Sequence, residues 1–315
     1  MTQTDPIRSS RTRLTVLQMV PELEEGGVEC EAVEMGTHLA RHGHRSMVAS
    51  QGGRMVAELK KEGSTHVRYR FMGEKSPRCL WYIFPLRRLL IEKPVNVLHL
   101  RSRVPAWVGY LAWLSLPRRR RPALITTFHG FYSVNAYSAI MSRGERVIAV
   151  SETIKHHILS HYRTPEARIA VIYGGYDDRR FDPRRVGHER IQALRSAWGI
   201  RGNDTPVIFF PGRITRLKGH ALFIQSLARI RHRRWVAVCA GDLKENPGLA
   251  TELKTMTDAA GLSERIRFAG YCADMPAAVL AATIVVSASI KPESFGRIAV
   301  EAAAMGRPVV ASAHG

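Results

Sequence analysis

The chain is poor in cysteine: four in 315 residues, Cys30, Cys79, Cys239 and Cys272, far apart and with no CxxC pair. This spacing argues against a disulfide framework and a zinc site, and it fits a reducing compartment. Long hydrophobic runs are missing too. The longest uncharged apolar stretch, Val104 to Leu116, falls short of the ~18 to 20 residues that span a bilayer, so no transmembrane segment is expected. The first apolar run, Leu14 to Val20, is short and leads directly into acidic residues, which reads as an opening strand and not as a secretory signal. Negative charge is the third shortage. Asp and Glu number 27 against 47 Lys and Arg, a net charge of +20, and such an excess favours acidic partners: nucleic acid, an anionic membrane or phosphorylated ligands. The excess divides evenly between residues 1–122 and 123–315, so it is not an appended basic arm. With no zinc-finger, RNP or basic-zipper pattern in the chain, no specific nucleic acid is expected as partner.

What is present is globular. A chain of 315 residues that is 45% hydrophobic and 23% charged has material for two domains with proper cores. In the first half Leu14 to Met19 reads as a buried parallel strand, followed by the loop Val20 to Gly27 and a helix from Val28 to about Arg41. Gly26 and Gly27 at that helix start would let a phosphate or an acceptor approach the amides, and a plain tight turn is equally compatible. Further strands are expected at Ser46 to Ser50, Asn96 to Leu100, Ala123 to Phe128, Arg146 to Val150 and Ile169 to Tyr173, with helices at Met55 to Glu62 and Pro105 to Leu116. His129 follows one of these strands at its carboxyl end, where open α/β sheets bind ligands. Cys79 to Glu92 gathers Leu80, Trp81, Tyr82, Phe84 and Leu86 beside Arg78, Arg87, Arg88 and Lys93. Aromatics and arginines on one short helix point to a membrane interface, core packing being the alternative. The run Arg118 to Arg121 is a solvated loop or a contact for lipid phosphates.

In the second half Val207 to Phe210, Trp235 to Ala240, Arg265 to Gly270 and Ile284 to Val286 read as strands. Arg213 and Lys218 lie five residues apart around the strand-to-helix turn after the first of them, so both can face one diphosphate. The last stretch predicts a turn at Pro292 and Glu293 and a helix from Ser294 to Met305 closed by Gly306. A carboxylate at a helix mouth competes with an anion unless the two divide one ligand between them. A sugar nucleotide allows that division: hydroxyls meet Glu293 and Glu301, and the pyrophosphate meets the amides of Phe295, Gly296 and Arg297. A capped helix with two solvated glutamates is the plain alternative.

The run PESFGRIAVEAAAMGRPVVAS resembles the signature of retaining glycosyltransferases of the GT-B fold, specifically glycosyltransferase family 4 (group 1), and is similar to that of bacterial lipopolysaccharide and surface-polysaccharide enzymes. The resemblance implies that Glu293 contacts the transferred sugar and Glu301 the ribose. It makes Arg213 and Lys218 the pyrophosphate element G-R-x4-K-G. It puts His129 near sugar and acceptor, Gly26-Gly27-Val28-Glu29 in the family's first loop, and Tyr271 at a strand end beside the base. The turn Gly174-Gly175-Tyr176-Asp177 stands where family members carry Pro-Asn-Gly-Val-Asp, which marks a domain boundary and puts ligand contact there in doubt.

The expected architecture is α/β, two Rossmann-like doubly wound parallel-sheet domains facing a cleft, with the second domain cut short at its C-terminus. The expected divisions are residues 1–175 for the first domain, 176–204 for a linker and the start of the second, and 205–315 for the nucleotide-sugar domain. The expected function is transfer of a hexose-type sugar from a UDP- or GDP-linked donor to a glycan or lipid-linked acceptor, with retention, in surface-polysaccharide synthesis. The expected place is the inner face of the cytoplasmic membrane, bound peripherally to anionic lipid. No cofactor and no metal are expected, since the chain has no Asp-x-Asp pair. The rivals are a nucleotide-sugar epimerase of the same fold and a non-catalytic membrane or nucleic-acid binding protein.

Overall fold

The computed structural model describes residues 13–24, 26–200, 202 and 204–315. The readings made for residues 1–12, for Glu25 in the first loop and for Arg201 and Asn203 in the expected linker lie outside the described residues. The chain divides between Gly174 and Gly175 into two compact units.

The first unit is built on a seven-stranded sheet. Its strands are β1 (Thr15–Met19), β2 (Arg45–Ser50), β3 (Thr65–Arg68), β4 (Val97–Leu100), β5 (Ala123–Phe128), β6 (Arg146–Ala149) and β7 (Ile169–Val171). They pair in parallel in the order β3-β2-β1-β4-β5-β6-β7. The helices α1 (Gly27–Arg41), α2 (Val56–Lys61), α3 (Ile83–Glu92), α4 (Arg103–Leu114) and α5 (Glu152–His161) make most of the crossovers. β1 is buried along its whole length, as a central parallel strand covered on both faces must be. Its register with β4 sets Val16 beside Val97 and Met19 beside Leu100. Val20, Leu23, Ala32, Val33, Val48, Met55 and Leu59 form a buried cluster that fixes α1 and α2 to one face. Strand order reverses between β1 and β4, so the loops that follow these two strands part and leave a crevice at their carboxyl ends.

The second unit opens with α6 (His188–Ala197), inside the stretch expected as linker. Phe181, Trp198 and Ile200 flank α6 and enter the same core as Val207, Phe209, Val238 and Val285. Its sheet has the strands β8 (Val207–Pro211), β9 (Val236–Ala240), β10 (Ile266–Gly270), β11 (Ile284–Ser287) and β12 (Val309–Ala311). They run parallel in the order β10-β9-β8-β11-β12. The helices are α7 (His220–Arg229), α8 (Pro247–Ala259), α9 (Met275–Ala281) and α10 (Arg297–Ala304). The reversal here falls between β8 and β11, so the loops after those two strands flank the second unit's own crevice.

Two expected helices differ in the structure. The one expected over Ser294 to Met305 begins three residues later, at Arg297, because Gly296 takes a left-handed conformation with φ 82° at the N-cap. The aromatic helix expected within Cys79 to Glu92 is a 3-10 segment, Pro77–Tyr82, followed by α3. Ser151 accepts from the Ile154 amide at 3.2 Å and Asp274 from the Ala277 amide at 3.2 Å, each satisfying a donor that the first turn leaves open.

Candidate active site

In the second unit the loop after β8 carries Arg213 and Lys218 and the loop after β11 carries Glu293. The two loops are locked together by one glycine. Gly219 has φ 77°, and a Cβ built there would lie 1.9 Å from the Ala288 carbonyl oxygen, so only glycine allows this approach. The Ile290 amide also donates to the Leu217 carbonyl at 2.9 Å. The consequence is that Lys218 Nζ lies 2.5 Å from Glu293 Oε1, and the Ser289 hydroxyl donates to the same oxygen. Burial by itself raises the Glu293 carboxyl, but the charge and hydrogen bond of Lys218, the hydrogen bond of Ser289 and the charge of Arg213 outweigh it and hold it below its ordinary value. Glu293 is therefore ionised at neutral pH. Arg213 is exposed, and together the three charges leave one net positive charge at the mouth of the crevice. An ammonium has three donors, so Lys218 can keep Glu293 and still meet a phosphate oxygen.

Glu301 lies one turn into α10, 8% exposed, and its Oε1 accepts from Arg297 Nε at 3.1 Å and Nη2 at 2.9 Å. The Arg297 side chain is thus turned along its own helix. The residues Phe295 and Gly296 precede the helix, and the N-cap Gly296 brings no side-chain bond to the first turn. Tyr271 follows β10 after Gly270, which has φ 71°, and its ring is exposed. The second unit so collects Arg213, Lys218, Glu293, Phe295, Gly296, Arg297 and Glu301 around the β8 and β11 loops, with Tyr271 after the β10 edge strand.

The first unit holds the other three singled-out residues. Gly26 caps α1 with φ 133° and Gly27 is its first residue. His129 follows β5, and its side chain is 6% exposed. The sequence reading missed what surrounds it. Glu31 on α1 puts Oε2 3.3 Å from His129 Nδ1 and Oε1 2.8 Å from Arg101 Nη2. Arg101, directly after β4, is 1% exposed and donates from Nη1 to the Oε1 of Gln18 on β1 at 2.7 Å. Gln18 in turn donates to the Ala32 carbonyl of α1 at 3.0 Å. A glutamine in the middle of a buried strand and an acid beside an apolar helix stripe are the only signals the sequence carries for this network. One cavity of about 560 Å³, lined by Tyr110, Asn135, Arg143, Tyr162, Arg163 and Arg168 among others, contains none of the singled-out residues. Among the described residues no group of three or more His, Cys, Asp or Glu could hold a metal ion.

Residues 25–180 match the profile of Glycosyltransferase Family 4, and residues 205–315 match that of Glycosyl transferases group 1. A solved glycosyltransferase from Rickettsia africae is 32% identical, with a TM-score of 0.83 over 96% of this chain and 80% of that one. The chain belongs to glycosyltransferase family 4. Anabaena HepE in complex with UDP-glucose has the same fold, at 22% identity and a TM-score of 0.80 over 96% of this chain and 81% of that one. The D-inositol 3-phosphate glycosyltransferase of Salinispora tropica is 32% identical over 189 residues, or 56% of this chain. The chain spans well under half the length of the Salinispora relatives it matches, 38% of one and 41% of the other. This family 4 chain thus has the two parallel-sheet α/β units of GT-B structures.

Proposed function

We propose that the protein is a retaining glycosyltransferase that moves a sugar from a UDP- or GDP-linked donor to a lipid-linked or glycan acceptor in surface-polysaccharide synthesis. The observation that carries this reading is the Lys218–Glu293 pair, 2.5 Å apart with Arg213 beside it at the β8/β11 switch point. Cations for a diphosphate and an ionised acid for sugar hydroxyls stand in one cluster. In the reaction the bond from the anomeric carbon to the phosphate oxygen breaks, and the bond from the acceptor oxygen to that carbon forms on the same face. The acceptor proton passes to the leaving phosphate oxygen, so no second carboxylate is needed, unlike a double displacement. Arg213, Lys218 and the uncapped start of α10 stabilise charge as it develops on the diphosphate, without a metal ion.

The surface of the first unit supports the acceptor part of this reading. Trp81 and Phe84 are 77% and 74% exposed, while Leu86 and Leu90 of α3 are buried. Phe84, Arg87, Arg88 and Ile91 share the outer face of α3, and Arg87 reaches the Ser115 carbonyl at 3.5 Å, beside the exposed arginines 118–120. These exposed aromatic and basic side chains suit an anionic inner leaflet where a lipid-linked acceptor would be presented. No described helix is long and apolar enough to cross a membrane.

Calorimetric titration of Arg213→Ala/Lys218→Ala with uridine and with UDP tests the donor assignment. The reading expects UDP to weaken by roughly 10² or more, since charge-assisted bonds contribute about 1.5–3 kcal/mol each, and uridine to change little. Equal weakening of both ligands would remove the pair from the site.

A further inference from the structure

The network under His129 has no part in the donor reading, and it determines what the imidazole can do. We propose that Glu31 is a positioning residue. Held by Arg101, its carboxylate fixes His129 as the Nδ1–H tautomer and leaves the Nε2 lone pair as a buried acceptor for one hydroxyl of a polyhydroxylated ligand in the first unit's crevice.

Glu31 is pushed up by burial, but the His129 hydrogen bond and the charge of Arg101 outweigh this and bring it down to about 2. It is a carboxylate at any working pH. A carboxylate only accepts, so the proton in its contact with His129 belongs to Nδ1. Burial, and the charge of Arg101 after it, lower the His129 imidazole against the pull of Glu31, so the ring is neutral at pH 7. A neutral ring with Nδ1 protonated has its lone pair on Nε2.

Nε2 is buried and meets no hydrogen-bond partner. Arg101 Nε, equally buried, also lacks a hydrogen-bond partner, while its Nη2 is held by the Glu31 carboxylate at 2.8 Å. An acceptor and a donor without partners, carried by side chains 6% and 1% exposed, stand at the ends of β5 and β4, beside the β1/β4 switch point. Buried polar atoms are rarely left so unless a ligand or water completes them. The remaining groups around the ring stay neutral. His99, held far below its ordinary value by burial and then by Arg101, shares a 2.7 Å hydrogen bond with Thr127 Oγ1, and burial pushes the Tyr132 phenol up to about 12. Glu31 and Arg101 balance each other, with Glu29 adding negative charge towards Arg101.

The proposal rests on the transferase reading only for what the ligand is. Long-range proton–nitrogen correlation on the full chain labelled with 15N-histidine, with His129→Asn used to assign the resonance, reads the tautomer directly. At pH 7 the wild type is expected to show a protonated Nδ1 and a bare Nε2. Glu31→Gln is expected to mix the tautomers and lower kcat for transfer from UDP-glucose by roughly 10²-fold, as for a displaced reacting group, while the Kd for UDP stays within about twofold. An Nε2–H tautomer in the wild type overturns the proposal, and so does Glu31→Gln that mixes tautomers at unchanged kcat. A wild type that transfers no sugar counts against the function proposed above; the tautomer is still decided by its own spectrum.

Discussion

His220 is expected to make the second unit less stable towards acid. It is 2% exposed at the start of α7, with its ring 4.7 Å from that of Phe210. Burial first, and then the nearby Lys218 charge, push the imidazole down to about 4. The unfolded chain takes up a proton near pH 6.5, where the folded chain refuses it, so stability falls as pH drops from 6.5 to about 4. The loss is on the order of 3 kcal/mol. Glu31 and Glu293 act lower. Their folded values lie below the ordinary carboxylate value, so their contribution is complete above it and is lost as pH falls through the folded value, which for Glu31 is about 2. Urea unfolding at pH 7 and pH 5 checks the histidine: His220→Leu is expected to lose clearly less stability between the two than the wild type. Parallel losses would show that His220 is not the group that titrates.

At the scale of elements, apolar runs located the buried strands well, and Ala123–Phe128 lies where the pattern put it. Edge strand β3 was not anticipated, because Thr65–Arg68 has exposed or half-buried positions and no apolar run to announce it. α10 starts late for a backbone reason: left-handed Gly296 ends the loop, whereas a pattern of side chains sees only helix formers. α6 sits where polar residues and Pro183 read as linker, yet Trp198 and Ile200 after it are core. The candidate site divides the same way. Arg213, Lys218, Glu293 and Glu301 were legible because they lie on two short motifs whose spacing is fixed by one turn each. Gln18, Glu31 and Arg101 come from three separate stretches with no motif, and only the sheet order that sets β1 beside β4 brings them together.

For the whole molecule the charge of +20 is a statement about partners. Each basic residue near an anionic surface contributes about 1 kcal/mol, so the proposed attachment is expected to draw on the exposed arginines of α3 and of residues 118–120, beside the exposed Trp81 and Phe84. Co-sedimentation with vesicles is expected to require anionic lipid, to fall with salt, and to be lost when Arg87, Arg88 and Arg118 to Arg121 are all changed to Ser. Binding indifferent to lipid charge would rule this face out. The central claim, that the β8 and β11 loops of the second unit hold the reacting sugar donor, is tested most directly by Glu293→Gln, which removes the one negative charge of the Arg213–Lys218–Glu293 cluster and keeps the side chain's shape. Transfer from UDP-glucose and Kd for UDP are measured on the same preparation. The account predicts that transfer is abolished while UDP binds within a few-fold of wild type; transfer at near wild-type rate would contradict it.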